Sequence, residues 1–395
     1  MKYWRGYLVA LILAVCSWGL IEFAQSHWVL VDMVYPYTSR MIQDFMAVWS
    51  SGTAYCLWQL LLLVLAAGVL ASIVMMIVWK WNPIQWFGWV MAVVSLISLL
   101  NTGLYGLNEQ AGPLAEDIRL NMTDYSIDEL QDAAEFYQKE ANRLSQQVKR
   151  DSSGQLQYPD FETLALQAAD GFDTLTYEKY NSIFAGDRTP VKELGWSKFF
   201  SGKGKTFVHV AITGEAAVNP ETPAVGLPFA MCQAMANRVC IANDQDAAFA
   251  AYLACTNNEA VEFQYAGYFM AYRYCCQALA SKNVSSAQSA VQALAQSESS
   301  QLKQDLEVYN NSFAPGSDNA YHEEVKPVKK PKFLKKNAEG EEETVDLPER
   351  ADVADLLVSW HIQEYVLPLL KEEEVKFDPL DETQVDLTGL VNHDD

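Results

Sequence analysis

Histidine is scarce in this chain. There are five in 395 residues, at positions 27, 209, 322, 361 and 393, and no two stand four apart. That excludes an intact H-x-x-x-H pair, in which two imidazoles one helical turn apart hold a zinc ion. Positive charge is also short. The 28 Lys and Arg face 50 Asp and Glu, for a net charge of −22. Nucleic acid needs a basic footprint and is excluded as a partner. The same acidity disfavours docking of the charged part on an anionic lipid surface. Cysteine is limited to seven residues, an odd number, with no C-x-x-C pair. That argues against a disulfide framework and against common zinc–thiolate spacings, so the thiols read as buried core residues.

What is present is unevenly spread. Residues 1–108 carry only Lys2, Arg5, Arg40 and Lys80 against Glu22, Asp32 and Asp44, a net +1, which leaves −23 for residues 109–395. The first part holds three apolar runs, at about 7–23, 55–78 and 84–107. Each is close to the ~20 residues that cross a bilayer. Residues 24–55 read as an aromatic-rich interfacial loop. Lys2, Arg5 and Lys80 fall on one side of three crossings and Arg40 and Arg119 on the other, which predicts the N-terminus inside and the acidic part outside.

The acidic part reads as mainly helical. Ser126 with Glu129 forms a capping box for a helix to about 148. Further helices are expected at 160–170, 229–241, 246–256, 260–280, 284–309 and 351–366, with a short strand at 207–213. Residues 311–349 lose the apolar period and mix lysines, prolines and glutamates, the pattern of a charged mobile insertion.

One stretch carries the most chemical information. Cys232-Gln233-Ala234-Met235-Ala236-Asn237 sits where a helix would carry H-E-x-x-H, with Gln233 and Asn237 at the histidine positions and Ala234 at the glutamate. Together with Gly106-Leu107-Asn108, Thr213-Gly214-Glu215-Ala216-Ala217-Val218-Asn219, Asp244-Gln245-Asp246, Phe377-Asp378-Pro379 and Asp381–Leu387, it resembles a family of bacterial membrane-anchored proteins known as domain of unknown function 3810. Members of that family typically read G-E-A-N-V-N, H-E-x-A-H and E-D-E-A-N-F at the central places; here Ala217 and Ala248 replace two asparagines.

The resemblance implies three transmembrane helices followed by a mainly α (α+β), zincin-like extracytoplasmic domain. It implies zinc, with Gln233, Asn237 and one of Asp244 or Asp246 at the ligand positions. Gln and Asn amides are poor zinc ligands, and Ala has no base. No cofactor is therefore expected here. Glu215, Asn219 and His209 are the candidates for lining a cleft that holds peptide or cell-envelope material. The expected partners are the bilayer and such a ligand, at the bacterial cell membrane. Three classes remain: an inactive peptidase-like binding or regulatory protein, a zinc metallopeptidase whose site has been substituted, and a structural membrane component.

Overall fold

The computed structural model describes residues 4–282, 284–312, 333–336, 342–345 and 350–369. Three helices are long and apolar enough to cross a membrane: α1 (Arg5–Ser26), α3 (Leu57–Val78) and α4 (Pro83–Leu104). They mark a membrane protein. Between the first two lies α2 (Trp28–Ser51), where the sequence suggested a loop.

The loop expectation failed because α2 is amphipathic the wrong way round for a soluble helix. Its buried stripe is Ser39, Gln43, Ala47 and Ser50, while Met33, Met41, Phe45 and Trp49 are exposed. A helix with its apolar face outward suits the membrane interface. Its polar stripe also has a partner. The last carbonyls of a helix lack intrahelical donors. Ser39 Oγ donates to the Leu104 carbonyl at the end of α4 (2.7 Å), and Gln43 Nε2 donates to Leu104 and Ala211 carbonyls (3.3 Å each).

α1 and α4 pack closely through small residues. A Cβ added at Gly6 would lie 2.5 Å from the Gly88 backbone, and Ser17 and Thr102 share a hydrogen bond of 3.0 Å. Ala10 and Ala92 are buried as well. Backbones approach at small residues, the usual basis of helix association in lipid. Among the described residues α3 has no such partner, and its most apolar stretch buries nothing.

Beyond α4, the described chain is mostly helical, with a three-stranded sheet and a separate two-stranded one. The elements are α5 (Leu114–Asp117), α6 (Ile127–Ser145), α7 (Phe161–Thr174), β1 (Lys192–Glu193), α8 (Ser197–Ser201), β2 (Phe207–Val210), β3 (Glu215–Val218), α9 (Leu227–Arg238), α10 (Asp244–Thr256), α11 (Val261–Ser281), α12 (Ser285–Ser297), α13 (Ser300–Asn311), β4 (Phe333–Lys336), β5 (Glu342–Val345) and α14 (Val353–His361). The order of the three-stranded sheet is β1-β3-β2, with β1 parallel and β2 antiparallel to the central β3. The helix expected at 284–309 is two, α12 and α13, broken at Glu298 and restarted by Ser299, whose side chain caps Leu302 N. Within the region read as a mobile insertion, β4 and β5 form an antiparallel pair. Its residues 311–312 finish α13 and its cap, and residues 313–332, 337–341, 346–349 and Phe377–Leu387 lie outside the described residues.

Side-chain caps set several helix starts. Ser126 and Glu129 form the expected capping box on α6. Asp160 caps α7 and Asn243 caps α10. Such caps contribute about 1 kcal/mol each. α10 is thin, with Ala247, Ala248, Ala250, Ala251 and Ala254 all buried. Its neighbours approach it through glycine. A Cβ at Gly171 of α7 would fall 2.0 Å from the Ala254 carbonyl oxygen, and one at Gly267 of α11 2.8 Å from Cys255 Cβ. Cys56, Cys232, Cys240, Cys255 and Cys275 are buried and free, as expected, whereas Cys276 is half-buried and Cys16, on the outward face of α1, is exposed.

Candidate functional site

α9 packs against α10 and against the β2–β3 hairpin. Every residue from Pro228 to Arg238 is buried. Gln233, Ala234 and Asn237 therefore stand in the interior of the protein, one turn of α9, with the acidic first turn of α10 on the neighbouring helix. Gln233 is partnered. Among the described residues Asn237 Oδ1 has no hydrogen-bond partner, nor does Nε of the next residue, Arg238, whose Nη2 donates to the Asp187 carbonyl. Burial lowers the Arg238 guanidinium to about 10.

The two acidic candidates differ. Asp244 opens α10 and acts on Tyr105 and Glu109 through its charge. Asp246 is almost fully buried and ion-paired to Arg350 Nη1 at 2.5 Å; the Leu114 amide also donates to it at 3.4 Å. Burial still outweighs that pairing and raises its pKa. Arg350 stands 104 positions away, and its other nitrogen donates to the Glu109 and Ala111 carbonyls. No periodicity or motif pointed to it.

A pocket of about 70 Å³ opens beside Asp246, lined among others by Asp32, Arg40, Asn108, Asp117 and Arg350. That is room for a few waters or a small polar group. Asn108 Oδ1 lacks a partner among the described residues, although its Nδ2 donates to Ser39 Oγ (3.0 Å). Burial, then the charges of Asp32 and Asp246, raise Asp117 to about 6.

The three residues expected to line a cleft lie in three different settings. Glu215 is on the central strand with its carboxylate completely buried. It accepts from the backbone amides of Leu57 (2.8 Å) and Trp58 (2.9 Å), two of the first N–H groups of α3, and from Lys192 Nζ (2.7 Å). Those amides have no intrahelical acceptor, and the helix N-terminus favours negative charge. Lys192 Nζ in turn donates to the carbonyls of Ser50 and Tyr55. This family-pattern glutamate thus ties the sheet to a membrane-length helix.

Asn219 is also spent on structure. Its amide donates to Ser201 Oγ and the Lys205 carbonyl, and its Oδ1 accepts from Glu221 N. His209 packs against Tyr105, the rings tilted by 52° with centroids 4.6 Å apart, and burial beside Arg238 lowers its pKa to about 3. Its Nε2 has no partner. A neutral imidazole with a free nitrogen is a competent metal ligand, but among the described residues no group of three or more His, Cys, Asp or Glu is arranged to hold a metal ion.

No curated protein and no solved structure was found to match the chain. A family profile does match, over residues 31–341, and its description is a protein of unknown function (DUF3810). That match takes in α2–α4, the Glu215 strand and the α9–α10 pair, while the C-terminal marks at 377–387 fall outside it. It covers more than half of the chain, and the protein is a member of the DUF3810 family.

Proposed function

We propose that this protein is a membrane-anchored, catalytically inactive relative of zinc metallopeptidases that binds, rather than cleaves, peptide or cell-envelope material, with the domain after α4 outside the cell. The observation that carries this reading is the position of α9. Packing against α10 and the hairpin sets Gln233, Ala234 and Asn237 in the interior, beside the helix that starts with Asp244 and Asp246. With histidines and glutamate at those positions, two imidazoles and a carboxylate would surround one metal, and a base would stand next to its water. In this chain the amides keep polar volume there but supply neither Lewis acid nor base. Loss of a general base alone costs about 10²–10⁴ in rate.

Rebuilding the motif tests this. The variant Gln233→His, Ala234→Glu, Asn237→His is expected to bind zinc near one ion per chain by elemental analysis, and the unaltered protein to bind none. Chelator-sensitive peptide cleavage by the unaltered protein would overturn the reading in favour of a working metallopeptidase. A rebuilt variant that folds but takes up no zinc would refute the ligand positions.

A further inference from the structure

We propose that the groove between α3 and α4 seats one anionic phospholipid, its acyl chains between the two helices and its phosphate at Lys198, Lys203 and Lys205. The groove holds about 1080 Å³ and runs from Val210, Ile212 and Thr213 at the sheet to Trp81 and Trp86 at the far end of α3. A hydrogen bond from Trp86 Nε1 to Ser72 Oγ (2.9 Å) joins the two helices at that far end.

The lining says what fits. Where this chain packs one membrane-length helix on another, at α1 and α4, it uses Gly6, Ala10 and Ser17 against Gly88, Ala92 and Thr102. The walls of the groove are Leu62, Val69, Trp89, Val93 and similar bulky groups, with Gly68 and Ser72 as the exceptions. A helix, from a second copy or elsewhere, meets no small-residue seam on which its backbone could settle. Flexible acyl chains need none.

Charge selects the headgroup. Trp58, in the first turn of α3, lines the groove, and the rings of Trp196 and Phe200 pack edge-on against it at 6.4 and 6.2 Å. Gln59 and Gly195 exchange two hydrogen bonds beside them. Trp196 and Phe200 are thereby held beside the domain end of the groove, and the lysines lie on the same segment, at 198, 203 and 205. Its Lys198, Lys203 and Lys205 are exposed, and none takes part in an ion pair among the described residues. Trp196 and Phe199 are exposed too, at 46% and 63%. Exposed aromatics interleaved with lysines are what an anionic membrane surface attracts. In a part of the chain that carries −23 overall, this patch is a local reversal of sign.

The experiment uses the full-length protein in nanodiscs of equal phosphatidylglycerol and phosphatidylcholine, followed by detergent release and native mass spectrometry. One retained phosphatidylglycerol per chain is expected. The triple variant Lys198→Gln, Lys203→Gln, Lys205→Gln changes only exposed side chains and should lower the preference for phosphatidylglycerol at least about tenfold. Filling the groove with Val69→Trp and Val93→Trp should remove both lipids. Equal retention of the two lipids by the unaltered protein, an unchanged preference in the lysine variant, or a lipid-free dimer would each overturn the proposal.

Discussion

Two buried polar centres lie on either side of the β2–β3 hairpin, and they differ in one respect. Around Glu215 every charged atom is used: two α3 amides, the Lys192 ammonium, and the carbonyls that hold that ammonium. Around the end of α9, Asn237 Oδ1, Arg238 Nε, His209 Nε2 and Asn108 Oδ1 accept or donate no hydrogen bond among the described residues. Buried polar groups in folded proteins are nearly always satisfied, by protein or by ordered water. The first centre is a joint, and the second adjoins a pocket of about 70 Å³ lined by Asn108, Asp117 and Asp246. Residues of one family pattern, Glu215 and the 233–237 stretch, divide between these two roles.

The largest effect is expected at the joint. Glu215→Ala removes two helix-start acceptors and leaves Lys192 buried without its counter-charge, which should cost about 3–5 kcal/mol in thermal or denaturant unfolding. Adding Lys192→Met should recover part of that loss, because no charge is then stranded. If Glu215→Ala leaves stability unchanged, the joint carries no load and the contrast collapses.

Arg350→Ala comes next. It strands the Asp246 carboxylate and should cost about 3 kcal/mol, at the low end for a broken buried pair because Arg350 keeps some exposure. Asp246→Asn in that background should restore most of it. A loss that Asp246→Asn does not relieve would mean that Arg350 acts chiefly through the Glu109 and Ala111 carbonyls.

The pH responses of the second centre are smaller and opposite in sign. His209 is held near 3 against ~6.5 when unfolded, so the unfolded chain binds the proton first as pH falls. Stability from this group is full above about pH 6.5 and is lost progressively below it, and His209→Phe should flatten that acid limb. Asp117 is raised to about 6 from ~3.9, so its contribution is full below about pH 4 and is lost as pH rises through 6. Asp117→Asn should raise the melting temperature at pH 7.5 more than at pH 4. An equal change at both pH values would place Asp117 outside the electrostatic reach of Asp32 and Asp246.

Much of the architecture was legible in the residues. Three long apolar runs with almost no charge can only be buried or in lipid. Ser126 with Glu129, and the 3.6-residue period after it, announced α6. The stretch 233–237 stood out only through the family likeness, because its spacing alone is that of an ordinary polar pair in a helical core. By contrast, α2 was missed because its apolar residues face outward, so a rule that puts apolar faces inward reads it as irregular. The basic patch at 198–205 was hidden by the overall acidity, which averages over residues that the fold separates.

The sequence by itself determined the local terms: which segments are apolar enough for a membrane, which residues start helices, and that the 233–237 motif lacks imidazole and carboxylate. Only the tertiary structure decided who meets whom. Glu215 finds the first amides of α3 across 158 positions, Arg350 finds Asp246 across 104, and Gln43 finds Ala211 across 168. A buried charge or an open helix end must be satisfied by whatever packing brings within about 3 Å, and no local pattern encodes that neighbour.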